Sequence, residues 1–363
     1  MKTKTPLAAS ALAAAMVLTA CGGSPTASAG GPEVDAHAQE VYDEINALSG
    51  QERTDKLVEM AEKEGKLVLY TSNTDMDSLV EAFEKKYDIE VAPTRGNSET
   101  VLQRLTTEGN SGNVSTDLVE TNSGELNILA QEGFLYDYKS EYRDAVRPEG
   151  QLDGWTADRF NAFVVGWNTE KVDSSEIPEE IADFADPKWD GKVALEIGDV
   201  DWFAAVSDYY LDQGKSQDEV DEMWKDIAAN ASVEKGHSTM GDMLAAGKLH
   251  VVLSSYSHTI DGLAGEDNAP VAWKNGDEHV VPVVTRPNGV GLMATAKHPA
   301  AALLFTDFLL SEGQPFIAAD FRSTSVPQEG DPLEGVETIP VPEDEMLDNY
   351  EKWDRAYREL VGG

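Results

Sequence analysis

Five short polar loops carry the side chains with which this chain can do chemistry. They are residues 71–74 (Thr71, Ser72, Asn73, Thr74), 121–123 (Thr121, Asn122, Ser123), 198–202 (Gly198, Asp199, Val200, Asp201, Trp202), 236–239 (Gly236, His237, Ser238, Thr239) and 254–258 (Ser254, Ser255, Tyr256, Ser257, His258). Hydroxyls and backbone N–H groups at helix starts suit an oxyanion, because the donors point outward and the helix dipole favours negative charge. Thr74, Asn122 or Ser238 taken singly is explained as well by N-capping, a role these residue types fill routinely. Convergence of several such loops is what points to a binding site. Asp199 and Asp201 form an acidic pair that suits an ammonium group, with Trp202 offering an aromatic face to a cation. Either acid also fits a cap on the helix that begins at Trp202.

Catalysis finds little support. Ser255, His258 and Asp261 have the residue types of a hydrolase triad, yet a nucleophile elbow reads G-x-S-x-G and LSSYSHT does not. Three triad members in one short loop cannot form the required chain of hydrogen bonds. There is no HExxH zinc motif and no Walker A sequence, so the reading is of a protein that binds without hydrolysing ATP and requires no cofactor.

Residues 1–20 read as a signal peptide, with Lys2 and Lys4 ahead of an apolar stretch over 7–18 and small residues at the cut. That stretch is too short to cross a bilayer, which takes roughly 20 apolar residues. Leu18-Thr19-Ala20-Cys21 is a lipobox, which makes Cys21, the one cysteine, a lipid attachment point; an ordinary signal peptide ending near a cysteine is the alternative. After cleavage no thiol remains for a disulfide, redox or thiolate chemistry. Residues 22–31, GGSPTASAGG, then form a flexible tether. The expectation is an exported lipoprotein on the extracellular side of the cell membrane, touching the bilayer through its lipid alone.

The body is globular in composition, with 41% hydrophobic residues and seven Trp, and is large enough for two lobes. Acidic residues number 67 against 28 basic, a formal charge of −39. Nucleic acid is excluded as a partner, since phosphate binding needs basic stripes. The acidity reads as a solubility adaptation. Residues 32–65 form a helical preface, with Val41, Tyr42, Ile45 and Leu48 and then Leu57, Val58, Met60 and Ala61 at helical spacing, packed on the outside of the first lobe.

From KLVLY at 66–70 onward, strands and helices alternate, implying a parallel sheet in an α/β fold. Strands are expected at 89–92, 117–121, 160–167, 192–197, 249–253, 280–284 and 289–294, and Pro299 marks the start of a helix over 300–310. Residues 327–342 are acidic, proline-rich and extended. Met346, Leu347, Tyr350, Trp353, Tyr357 and Leu360 then make one helical stripe that reads as a core-facing clasp.

GKLVLYTSNTD (65–75), DPKWDGKVAL (186–195), LSSYSHTID (253–261) and KHPAAALLFTDFLLSEGQ (297–314), in that order, resemble the extracellular solute-binding proteins of ABC importers, nearest the ferric-iron-binding group (family 1). The resemblance spans about residues 66–327. It implies a type 2 periplasmic-binding-protein fold, two α/β lobes joined by crossing strands around a ligand cleft, with residues 66–162 and 281–363 in lobe 1 and 163–280 in lobe 2. It also implies a monomer that hands a small-molecule or metal ligand to a permease driven by a separate ATPase. Ferric-binding relatives hold iron through adjacent tyrosines on the loop matching 254–258, helped by a first-lobe histidine or acid; Fe(III) is hard and drives the proton off a tyrosine. Tyr256 matches the first tyrosine, but Ser257 follows it, and the histidine and acidic positions fall at Thr74 and near Asn122. Asp199, Asp201, His237 and His258 are the residues that would rebuild a shell around Tyr256. Fe(III) or a ferric chelate is the first expectation for cargo; a phosphorylated, zwitterionic or cationic small solute is the second.

Overall fold

The computed structural model describes residues 32–362; the leader (1–20), Cys21 and the rest of the tether lie outside them. Two long strands carry the chain between its halves. Trp155–Asn168 is buried at every position, and Val283–Met293 runs antiparallel beside it with Val284 opposite Phe163 and Asn288 opposite Arg159. Strands buried on both faces need no polar alternation, which explains why WTADRFNAFVVGWN shows none. The register slips at Asn288/Gly289, where a Cβ on Gly289 would fall 2.2 Å from the Thr156 carbonyl oxygen. Residues 280–284 and 289–294, expected as two strands, thus belong to one crossing strand, and Ser254, Ser255 and Tyr256 close the strand Val251–Tyr256 rather than lie in a loop.

One sheet passes through both halves in the order Glu90–Arg95, Lys66–Thr71, Leu118–Asn122, Val283–Met293, Trp155–Asn168, Val251–Tyr256, Val193–Glu196, Ala231–Glu234. The outer strands on each side are parallel, as the alternation predicts. A first apolar core joins Leu67, Leu69, Phe83, Leu118 and Leu126 to the helix Pro299–Leu309, with Phe83 edge-on to Phe305 at 4.9 Å. A second gathers Phe163, Trp189, Leu195, Trp202, Phe203 and Trp224. Among the described residues no helix is long and apolar enough to cross a membrane.

The preface forms two helices, Ala36–Asn46 and Gly50–Glu64, that pack on Pro299–Leu309. Pro299 opens that helix with φ already set, and the Glu64 carboxylate accepts the free N–H groups of Ala300 (3.1 Å) and Ala301 (2.8 Å). Tyr42 donates to the Met293 carbonyl (3.0 Å), and Arg53 is buried on Asp307, which also accepts from Tyr138 and Ser140. The C-terminal stripe, which the sequence reading joins to lobe 1, instead buries Met346, Trp353, Tyr357 and Val361 of the helix Glu343–Val361 in the second core. Trp353 and Tyr357 meet Phe203 there at 5.8 and 5.1 Å, because the stripe's aromatics match the apolar face of Val200–Asp212.

Removing one partner of a buried ion pair strands the other. Asp307→Ala should therefore lower stability by about 3–5 kcal/mol, read as a shifted urea midpoint. Lys86→Ala, which breaks an exposed pair with Glu312, should change it by no more than about 1 kcal/mol.

Candidate functional site

On the first-lobe side the site begins where Lys66–Thr71 and Leu118–Asn122 end. The Thr71 hydroxyl donates to the buried Glu120 carboxylate and accepts from the Asn73 N–H at 2.9 Å, while Ser72 N–H reaches the Glu120 carbonyl at 3.0 Å. Glu120 also pairs with Arg159, which lies 3.0 Å from the neighbouring Asp158. Thr74 donates to Asp75 at 2.8 Å, and Arg322 contacts Thr74, Asp75 and Asn161. Asn122 and Asp199 stand at helix starts with no side-chain capping bond; Asn122 accepts from Asn288 at 2.5 Å. Burial and the charge of Glu120 push the Asp158 carboxyl up to about 7.

The second-lobe side gathers Tyr256, His237, Asp199, Asp201 and a residue from the crossing strand, Arg286. The guanidinium donates to Asp201 (2.8 Å) and to the Tyr256 hydroxyl oxygen (2.5 Å), and lies 5.0 Å from the Phe163 ring centroid. His237 stacks near Tyr256, ring centroids 3.9 Å apart, and its Nε2 is 3.0 Å from Asp199 Oδ1. Glu196 accepts from the N–H groups of Gly198 and Gly236 and so ties the two polar loops together. One ligand atom each from Glu196, Asp199 and His237 lies within 4.8 Å of the others. Asp199 is 3% exposed, and its Oδ2 has no partner; nor has His237 Nδ1.

The electrostatics follow from this crowding. Burial raises the Tyr256 phenol above its ordinary range although Arg286 opposes it, so the phenol is neutral at neutral pH. Burial also raises Glu196, with Asp199 adding to the effect. Burial alone would lower the His237 imidazole, but Asp199 outweighs it and the pKa rises. His258, stacked on Tyr256 at 5.3 Å, is held well below its ordinary value by burial and by Arg322 and Arg159.

The structure brings together Thr71, Asn73 and Thr74 in one network and Asp199, Asp201, His237 and Tyr256 in another. Trp202 joins neither. Its side chain is fully buried against Trp224 at 5.3 Å, which corrects its reading as a face for a cation: on Val200–Asp212 it falls in step with Phe203, Val206 and Tyr210, all core residues. Ser255 is buried near the end of its strand opposite Val164, and Ser123 is buried at its helix start. Sequence reasoning missed Glu120, Arg159, Glu196, Arg286 and Arg322. The arginines carried a signal, since Arg159 and Arg286 interrupt apolar runs in a chain poor in basic residues, and cations buried there must be paired.

Comparison with known proteins gives a consistent picture. Residues 78–315 match the profile of a family described as bacterial extracellular solute-binding protein. A Fe(3+)-binding periplasmic protein of Serratia marcescens is 24% identical over 263 residues, covering 69% of this chain and 75% of that protein. Among solved structures, iron-bound HitA from Pseudomonas aeruginosa superposes with a TM-score of 0.66 at 20% identity, over 81% of this chain and 99% of that one. AfuA from Actinobacillus pleuropneumoniae, with exogenous fructose-6-phosphate bound, gives 0.68 at 22%, over 82% and 99%. The fold is thus the two-lobed one of periplasmic binding proteins.

Asp158 binds a proton on folding, because its folded pKa lies above the unfolded value. Its stabilising contribution is complete in acid and is lost as pH rises toward and through about 7. Relative to the wild type, Asp158→Asn should accordingly gain stability between pH 5.5 and 8, measured as the difference between the two proteins' urea midpoints; an unchanged difference would refute the assignment.

Proposed function

Because this chain belongs to the bacterial extracellular solute-binding proteins, we propose that its cleft captures ferric iron, free or as a chelate, and passes it to an ABC permease driven by a separate ATPase. The observation that carries the metal reading is the trio Glu196, Asp199 and His237 packed beside Tyr256. Carboxylate and phenol oxygens suit a hard cation. The surrounding charge agrees, since Asp75, Glu120, Asp158, Glu196, Asp199 and Asp201 outnumber Arg159, Arg286 and Arg322. The names of the Serratia and Pseudomonas relatives give this reading further support. Tyr256 enters the coordination shell only by giving up its proton and its bond from Arg286, so the acids and His237 are the first points of attachment. The protein acts as a monomeric, lipid-anchored exported receptor and makes or breaks no covalent bond in its cargo.

One observation favours a second reading. The Nε–H groups of Arg159, Arg286 and Arg322 are buried without partners, as are the Thr121 and Ser254 hydroxyls, and such donors suit a phosphorylated solute. The fructose-6-phosphate in AfuA lends support.

Titration with ferric citrate and, separately, with fructose 6-phosphate, followed by calorimetry and melting temperature, separates the two. Ferric iron should bind and stabilise the wild type, and Asp199→Asn should lose more than the ~10–100-fold that an outer-shell partner is worth. If Tyr256 ligates, a visible charge-transfer band appears and Tyr256→Phe abolishes it. Stabilisation by the sugar phosphate and none by iron would overturn the metal reading.

A further inference from the structure

We propose that residues 338–361 form a strap across the cleft, anchored permanently on the second lobe and released from the first at Glu343, so that this contact sets how readily the lobes open. The inference rests on the two-lobed fold and stands whichever cargo is carried. It concerns a segment beyond the family match, which ends at residue 315.

The strap begins on the hinge. Thr338–Pro340 pairs in parallel with the crossing strand, Val283 opposite Thr338 and Thr285 opposite Pro340, and the Val341 N–H continues the ladder to the Thr285 carbonyl at 2.9 Å. Glu343 then turns to the first lobe and accepts a hydrogen bond of 2.8 Å from the Asn127 side-chain amide. Asn127 is held for this role, since its carbonyl oxygen accepts from the Trp155 indole N–H at 2.8 Å and leaves the NH2 group facing Glu343. Met346 already enters the second core, and beyond a break in helical geometry at Asn349 (φ −128°) the remaining turns continue on the second lobe. Trp353, Tyr357 and Val361 are buried in its core, and the Tyr357 hydroxyl donates at 2.6 Å to the carbonyl of Glu196, a member of the trio with Asp199 and His237.

The two attachments differ in strength. The second-lobe anchor buries several large apolar side chains, each worth about 1.5–3 kcal/mol. The first-lobe anchor is slighter: the helix runs against Ser123–Gln131, and its side-chain hydrogen bond there is the one from Asn127 to Glu343, whose Oε1 is buried without a partner and whose carboxyl burial pushes up to about 7. A lobe rotation that opens the cleft therefore parts the strap at Glu343 and Asn127 before it disturbs Trp353 or Tyr357.

The test measures the interlobe distance in ligand-free protein by pulsed electron resonance between spin labels at Lys85→Cys and Asp221→Cys, both exposed, in a Cys21→Ser background. Glu343→Ala should add or enlarge a longer-distance population, shifting the opening equilibrium by about tenfold or more. Glu343→Gln keeps an acceptor for Asn127 and should stay closer to the wild type. Hydrogen exchange of the wild type supplies a second readout, in which amides of residues 344–348 exchange faster than those of 353–361. Identical distance distributions in wild type and Glu343→Ala, or equal protection along the whole helix, would overturn the strap. Neither result bears on iron binding, so its failure is distinguishable from failure of the cargo assignment.

Discussion

Two cations buried inside the crossing strands dictate how the lobes are joined. Arg159 and Arg286 sit on adjacent antiparallel strands where water cannot solvate them, and an unpaired charge there costs several kcal/mol. Each draws its acceptors from a different body. The Glu120 carboxylate reaches Arg159 from the end of a first-lobe strand, while the Asp201 carboxylate and the neutral Tyr256 hydroxyl reach Arg286 from the second lobe. The hinge is thereby bonded to both lobes through contacts that opening cannot break cheaply. An opening that keeps these pairs intact would be a rotation of whole lobes about the strands, with the arginine networks carried along on either side.

The same networks explain the state of the acids between them. Carboxylates from both lobes converge on the cleft in excess over guanidinium groups, and in a buried site their repulsion is screened far less than in water. The fold relieves it with protons: Asp158 and Glu343 are raised to about 7, Glu196 is raised, and His237 holds its proton more tightly than a free imidazole. On the ferric reading proposed above, protons and a cationic cargo would be alternative occupants of one electrostatic deficit. Entry of a metal would then expel some of them and couple affinity to pH through ligand deprotonation.

Much of this was legible in residue order. The alternation of KLVLY, its helix and the following strands announced a parallel sheet, and four segments in family order announced two lobes. Polar loops at strand ends picked out His237, Asp199 and Tyr256, which the fold brings together, because strand ends leading into helix starts converge at one edge of an open sheet. Arg159 and Arg286 were legible as buried cations in need of partners, but which partners was not, since these lie far away in sequence: Arg322 finds Asp75 and Arg286 finds Asp201 only after the sheet has formed. Trp202 failed in the opposite sense. A loop position beside two acids suggested exposure, but helical periodicity with Phe203 and Val206 decides where an indole goes when a core is within reach.

The preface and the C-terminal segment divide their labour unequally. The preface touches the first lobe, burying Arg53 on Asp307 and capping Pro299–Leu309 with Glu64, so it stiffens a body that is already continuous with half the sheet. The C-terminal segment touches the hinge strand, the first lobe and the second core in turn. An element with partners on both sides of a moving joint cannot be neutral to its motion. Its stronger contacts decide which lobe it follows and its weaker ones decide what must yield, and here the apolar stripe assigns the helix to the second lobe while the smaller contact with Ser123–Gln131, which holds the Asn127–Glu343 bond, is left to give way.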